Sequence, residues 1–378
     1  MKIAVIGSGI SGLSAAHFLS KKYKVDLFEK NDHFGGHSYT AEVSSKDSNE
    51  IISVDLGFIV FNEHTYPNLI NFFKDIKNQI PRDETVPYKI ANPLFSDYSY
   101  KFRFVHMPLN TAAEYSYNNV FNFPIGTTII KTFAYPIDER DLDKGFQLLE
   151  TRLLIKNKNG WEPLSYIWNN EQTNAFLKYT GHTFNVSWIS NNGQEKYVRY
   201  RAPNVNQCKT CHEINNKIQP IGPKGRNMNI NFVYPSGEAN QIDFWHDRKL
   251  LNNIPTPLKR NPAIWDDAKY GINERARSYL DANCAHCHQK GASASNSGFY
   301  LNIDENNSSI LGIYKTPVAA GRGSGGLKYI IDPGNPADSI LLYRMLSTDP
   351  GVMMPELSRN LQHEEAIPLI REWISQLK

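Results

Sequence analysis

Glu274-Arg275-Ala276-Arg277-Ser278-Tyr279-Leu280-Asp281-Ala282-Asn283-Cys284-Ala285-His286-Cys287-His288 decides how the C-terminal part of the chain is read. Glu274 to Leu280 reads as a short helix that delivers Cys284. Two thiols three positions apart, followed at once by an imidazole, form the pattern of c-type haem attachment. Both sulfurs add to vinyl groups on one edge of a porphyrin, while the adjoining His swings under the ring to ligate iron. An earlier copy stands at Cys208-Lys209-Thr210-Cys211-His212, and the two copies use all four cysteines. A single zinc site would use the same sulfurs, but its C-x-x-C halves usually lie about 15–20 residues apart, whereas more than seventy residues intervene here. Two redox-active dithiols would leave the His after each pair unexplained.

Farther on come Gly351-Val352-Met353-Met354-Pro355-Glu356-Leu357 and a helical pattern over Glu364–Leu377. Helix, C-x-x-C-H, Met-Pro and final helix together resemble class I cytochromes c over residues 271–378. The resemblance implies that His288 and Met354 ligate one iron. Met353 is the rival of Met354, which is preferred because a residue before proline is held extended. A thioether opposite an imidazole raises the iron potential and suits reversible one-electron transfer. Pro333 to Met345 also resembles bacterial haem-binding modules, with Asp338 or Ser339 capping the helix that ends at Met345. Gly321-Arg322-Gly323-Ser324-Gly325-Gly326 has glycine-rich spacing, but no helix follows it. It reads as a mobile loop near the second haem, with Arg322 a propionate partner.

Upstream, Cys208 and Cys211 would carry the thioethers of the other haem and His212 its proximal bond. The distal ligand stays open between Met228, His246 and an earlier His such as His106 or His182. Residues from about 86 to the end, including Asn92-Pro93-Leu94-Phe95-Ser96-Asp97-Tyr98 and Pro220-Ile221-Gly222-Pro223-Lys224, resemble a family of bacterial diheme c-type cytochromes with a β-domain before the first motif. That resemblance implies two covalent haem c groups, redox partner proteins and a periplasmic location.

The β-domain is legible in aromatic and β-branched runs: Phe102–Met107, Gly126–Ala134, Glu150–Ile155, Leu164–Trp168, Phe184–Ile189 and Glu195–Tyr200. Lys158-Asn159-Gly160 and Asn191-Asn192-Gly193 supply the hairpin turns. A sandwich is expected, with Trp161, Trp168 and Trp188 in the core.

At the other end, Lys2–Ile6 reads as a strand, Gly7-Ser8-Gly9-Ile10-Ser11-Gly12 as a dinucleotide turn, Leu13–Leu19 as a helix and Lys24–Phe28 as a second strand ending at Glu29. Gly7, Gly9 and Gly12 let the backbone approach a pyrophosphate at the helix N-terminus, and Glu29 stands where a ribose hydroxyl acceptor is expected. Gly35-Gly36-His37 follows, and Asp55–Phe58 and Tyr66–Leu69 extend the pattern. These features resemble the flavin amine oxidoreductases, which implies FAD. The resemblance stops near residue 78, short of a complete flavin-binding fold, so a fused remnant that binds nothing tightly is the competing reading.

The expected architecture is therefore multi-domain: a partial α/β Rossmann unit (1–78), a β-rich, sandwich-like domain (86–205), a first haem region (206–268) and a mainly α, cytochrome c-like domain (269–378). The 378 residues are 40% hydrophobic and 21% charged with a net charge of +3. No basic run points to nucleic acid, and no apolar run is long enough to span a bilayer. The first residues do not read as an export signal, although haem attachment of this kind is expected outside the cytoplasm. Residues 1–78 are accordingly expected to come from a gene fusion or misassembly, with the cytochrome starting near residue 80 behind a lost leader. Electron carriage by two haems is the leading functional reading. A flavocytochrome enzyme passing electrons from FAD to the haems is its alternative, and a haem peroxidase a third that Met354 disfavours. No acid, base or nucleophile constellation accompanies these motifs.

Overall fold

Strand β1 (Lys2–Ile6) lies parallel to β2 (Lys24–Phe28), in register from Lys2–Lys24 to Ile6–Phe28, and α1 (Ile10–Ser20) connects them. The computed structural model describes residues 2–8, 10–30, 40–44, 51–55 and 85–378. Gly7 closes β1 with φ +91°, where a side chain would be strained, and its N–H donates to the Phe28 carbonyl at 2.7 Å. This β-α-β unit and the hairpin β3 (Thr40–Ser44) and β4 (Ile51–Asp55) belong to a unit spanning Met1–Pro81. Gly9, Gly35, Gly36 and Tyr66–Leu69 lie outside the described residues.

The second unit is Arg82–Lys378, which contains the expected segments 86–205, 206–268 and 269–378. Its centre is a six-stranded sheet built from β5 (Thr85–Pro87), β6 (Tyr100–His106), β8 (Thr128–Pro136), β9 (Phe146–Asn157), β10 (Gly160–Trp168) and β11 (Ala175–Leu177). They run β11-β10-β9-β8-β6-β5, and every neighbouring pair is antiparallel. The short strand β7 (Ala113–Glu114) instead pairs in parallel with Leu251–Asn252. Both predicted hairpins form: Asn157 pairs with Gly160, and Ile189 of β12 (His182–Ile189) with Glu195 of β13 (Glu195–Ala202).

The expected sandwich is corrected to one large sheet with a two-stranded hairpin over part of one face. Phe133, Leu149 and Ile167 from the sheet pack there against Val186, Trp188, Val198 and Tyr200 of β12–β13. Toward the other end of the sheet, Val86, Val105 and Ile129 share a core with Met228, Ile242 and Trp245. Trp188 is buried, whereas Trp161 and Trp168 are only partly so.

The helices of this unit are α2 (Val205–His212), α3 (Gly225–Met228), α4 (Gln241–Asp247), α5 (Ile272–Asn283), α6 (Ile340–Leu346) and α7 (Ala366–Gln376). The last three pack through Tyr279, Leu280, Leu342, Ile370 and Trp373. They have 12, 7 and 11 residues, less than a third of residues 269–378, so this part is not mainly helical. The Gly-, Asn-, Ser- and Pro-rich chain between Cys284 and Ser339 favours turns over helix, and Gly291, Gly298, Gly312 and Gly334 all sit at positive φ. Ser339 takes the N-cap position of α6 without capping it. Its hydroxyl instead accepts from the Asp332 N–H at 2.8 Å.

Candidate functional site

Helix α5 ends at Cys284, whose N–H donates to Leu280 O, and the N–H groups of Cys287 and His288 both return to Cys284 O. One tight turn therefore presents two sulfurs and one imidazole. They face a cavity of 390 Å³ whose wall includes Cys284, Cys287, His288, Leu301, Met345 and Met354, within the roughly 300–1,000 Å³ typical of cofactor pockets. Met353 lines a separate hollow beside Arg199 and Arg201. The Met-Pro loop is tied down from several sides. Met354 N–H donates to Arg344 O at 3.0 Å, and Arg359 donates to Arg344 O and Ser347 O at 3.0 and 2.9 Å. Asp97 accepts from the N–H groups of Asn360 and Leu361 just beyond.

The donor set fits a covalently held haem: two thiols for the vinyl edge, a neutral imidazole and a thioether on the wall of one largely apolar pocket. Burial drives the His288 pKa down, leaving the ring neutral, as metal ligation requires. Its Nδ1 is buried without a hydrogen bond, and the Phe299 ring packs edge-on at 5.0 Å.

The first motif lies on α2, which is started by a reciprocal cap between Asn204 and Gln207. His212 Nδ1 is 2.9 Å from Gln219 O. With Nδ1–H donated to that carbonyl, Nε2 is the atom left free as an acceptor or ligand. Burial pulls the His212 pKa down to about 4, so this ring is neutral too.

The two motifs meet. Thr210 O accepts from Ser293 Oγ at 2.7 Å and lies 3.3 Å from Cys287 Sγ, and Asn215 N–H donates to Gly291 O at 2.9 Å. Gly291 has φ +80°, and an added Cβ would sit 2.2 Å from Asn215 Oδ1, so glycine permits this approach. The ligand atoms of Cys211, His286 and Cys287 lie within 4.8 Å of one another. All four cysteines are free of disulfide bonds. A hydrogen bond from the Cys211 thiol, opposed by burial and helped by His286 and Ser293, holds the Cys287 thiol below the ordinary cysteine range. Burial pushes Cys284 up to about 12 and raises Cys208. In the unmodified polypeptide at neutral pH, Cys287 should therefore be the first sulfur alkylated by iodoacetamide. Peptide mapping that finds Cys284 labelled first would contradict this.

Other expected residues are placed elsewhere. Met228 is fully buried in the core beside Trp245, and His246 is exposed. His106 Nδ1 meets Thr85 Oγ1 and His182 Nδ1 meets Lys178 Nζ. None of these lines the cavity. Arg322 is 68% exposed and pairs with Asp349, while Arg344 and Arg359, which carried no sequence signal, do line it. His363 was also missed. It stacks on Phe95 at 4.1 Å, reaches Tyr279 OH at 3.2 Å and is part of the cavity wall. His286 stood in plain view but occupies a position that the motif treats as a spacer.

In the first unit, Glu29 Oε2 accepts from Ser8 N–H at 2.6 Å and from Ser8 Oγ at 2.5 Å. The carboxylate thus braces the glycine turn from the end of β2. Gly12 lies within α1.

Residues 5–76 match the NAD(P)-binding Rossmann-like domain. A 78-residue stretch is 40% identical to the 1-hydroxycarotenoid 3,4-desaturase of Flavobacterium sp. (strain P99-3), covering 20% of this chain and 15% of that protein. The N-terminal segment is therefore Rossmann-like and distantly related to a carotenoid desaturase. No helix among the described residues is long and apolar enough to cross a membrane.

Proposed function

We propose that this chain is a diheme c-type electron-transfer protein. The observation that carries the reading is that Cys284, Cys287 and His288 share one cavity with Met354, which is distant from them in sequence. Cys284 and Cys287 would anchor one haem, with His288 and Met354 ligating its iron. Cys208, Cys211 and His212 would hold the other. The haems supply reversible one-electron chemistry at iron. The chain's own residues set its conditions: apolar walls keep water from the second site, Gln219 O fixes the His212 tautomer, and the Thr210–Cys287 contact puts the attachment points side by side. Electron exchange with partner proteins, outside the cytoplasm where haem is attached, completes the proposal.

Co-expression with a haem-maturation apparatus should yield two haems per chain in a pyridine haemochrome assay, and the polypeptide mass should rise by two haem groups. Cys284→Ala/Cys287→Ala should retain one. A colourless product of bare polypeptide mass would sink the proposal, and stoichiometric zinc on such a product would reassign Cys211, His286 and Cys287.

A second reading is favoured by the Rossmann match: a flavocytochrome in which an N-terminal FAD oxidises an organic donor and feeds the haems. Flavin released stoichiometrically on denaturation would support it, and protein that binds no added FAD would not.

A further inference from the structure

Side chains two apart on a strand share a face of the sheet, and one face of the central sheet carries three successive rows. The first is apolar: Val105, Ile129 and Leu154. The third contains Lys101, Phe133, Glu150 and Ile167. Between them, Arg103 pairs with Lys131, Lys131 with Arg152, and Arg152 with Ser165. Three cations in register thus interrupt a face whose two flanks belong to hydrophobic cores.

Like charges directly opposite on a sheet repel, and part-buried charges need partners. The carboxylate within reach forms an ion pair with only one of them. Glu150 is fully buried, chelates Arg152, and is filled by Tyr200 OH and Ser165 Oγ at 2.5 and 3.1 Å. Asp97 is spent on Asn360 and Leu361. Lys101 Nζ donates to Leu94 O at 2.7 Å. Among the described residues, Lys131 Nζ makes no hydrogen bond and rests over the Phe133 ring, 4.7 Å from its centre. Arg103 donates Nη1 to Lys101 O at 3.1 Å, while its Nη2 is buried with no partner. Burial and mutual repulsion depress Lys101 and Lys131 well below the ordinary lysine range. The row adjoins the first motif: α2 packs on β10, and the charges of Lys131 and Arg152 act on His212.

We infer that Arg103 and Lys131, backed by Arg152, form the receptor for the two propionate carboxylates of the haem anchored at Cys208 and Cys211. The inference rests on the haem reading above and extends it to the sheet. Two carboxylates would pair with the two cations of this middle row, Arg103 and Lys131, that make no ion pair, while Lys101 in the next row is held by the Leu94 carbonyl. The β-domain before the first motif then neutralises one haem's acid edge and sets that haem's potential apart from the other's.

Potentiometric titration of the two-haem protein tests this, once haemochrome stoichiometry has established the loading. In Lys131→Gln, one of the two potentials should fall and the other should stay, because removing a nearby positive charge favours ferric iron. Lys131→Arg should restore the wild-type value, and Lys158→Gln, at the exposed turn between β9 and β10, should shift neither. If Lys131→Gln does not accumulate, Arg103→Gln should give the same single shift. Two unchanged potentials, or two that fall equally, would overturn the assignment. So would a saturable shift of the wild-type potential by inorganic phosphate, which would make the row a site for free oxyanions. Failure of the wild type to carry haem would remove the electron-transfer proposal itself, whereas two haems with unmoved potentials would remove only this receptor.

Discussion

Met354→Leu should abolish the far-red thioether-to-ferric charge-transfer band of one haem and lower that haem's potential by a sizeable part of the about 0.8 V range that axial ligands control. Met and Leu have similar volumes, so the exchange should cost less than about 1.5 kcal/mol in a packed wall and leave two haems attached. The effect would then report ligation rather than folding. Met353→Leu is the internal control. Met353 is buried but lines a different hollow, so its replacement should leave both potentials in place. Equal losses in the two variants would mean that the loop is sensed as a whole. An unaltered spectrum in Met354→Leu would transfer the ligand role to another wall residue, with His363 the first to test.

Some of this was legible from residue order and some was not, for physical reasons. The β1-α1-β2 unit and both hairpins were readable because each is local: a glycine turn between alternating apolar runs fixes its own partner. The tight turn that closes Cys284 to His288 is local in the same way. The contact between the two C-x-x-C-H motifs was not readable, since it depends on Gly291 allowing Asn215 to approach across a long sequence separation. That Met353 and Met354 diverge into separate hollows was not legible, because adjacent residues in a loop carry no such signal. Arg344 and Arg359 look like ordinary surface cations in sequence, and only the return of the Met-Pro loop onto α6 brings them to the cavity. The helical reading of residues 269–378 failed where it generalised from three amphipathic segments to the turn-rich chain between them. The cationic row escaped because Arg103, Lys131 and Arg152 lie on three strands and become neighbours only through sheet register.

Asp281→Ala should destabilise the second unit by about 3–5 kcal/mol, the usual result of stripping one partner from a buried ion pair. The Asp281 and Arg226 side chains are 7% and 6% exposed, so water cannot replace the lost partner. Arg226 Nη1 and Nη2 both donate to this carboxylate, Asp281 also accepts the Ile303 N–H at 2.9 Å, and Arg226 Nε is already without a partner. Arg226→Met should cost less, because the carboxylate left behind keeps the Ile303 N–H bond. The double variant Arg226→Met/Asp281→Leu should recover much of the loss, since apolar pairs often replace buried ion pairs at little cost. Urea titration with an unchanged m-value would read these differences as stability, and a double-mutant cycle would isolate the pairwise part. An Asp281→Ala variant within about 1 kcal/mol of wild type would mean that the guanidinium finds water or another acceptor. The pair joins α3, which follows the first C-x-x-C-H motif, to α5, whose next residues are those of the second, Cys284 and Cys287 among them. Arg226→Met should therefore loosen the two attachment points relative to each other before it unfolds either, which would appear as slower electron exchange between the haems at unchanged haem content.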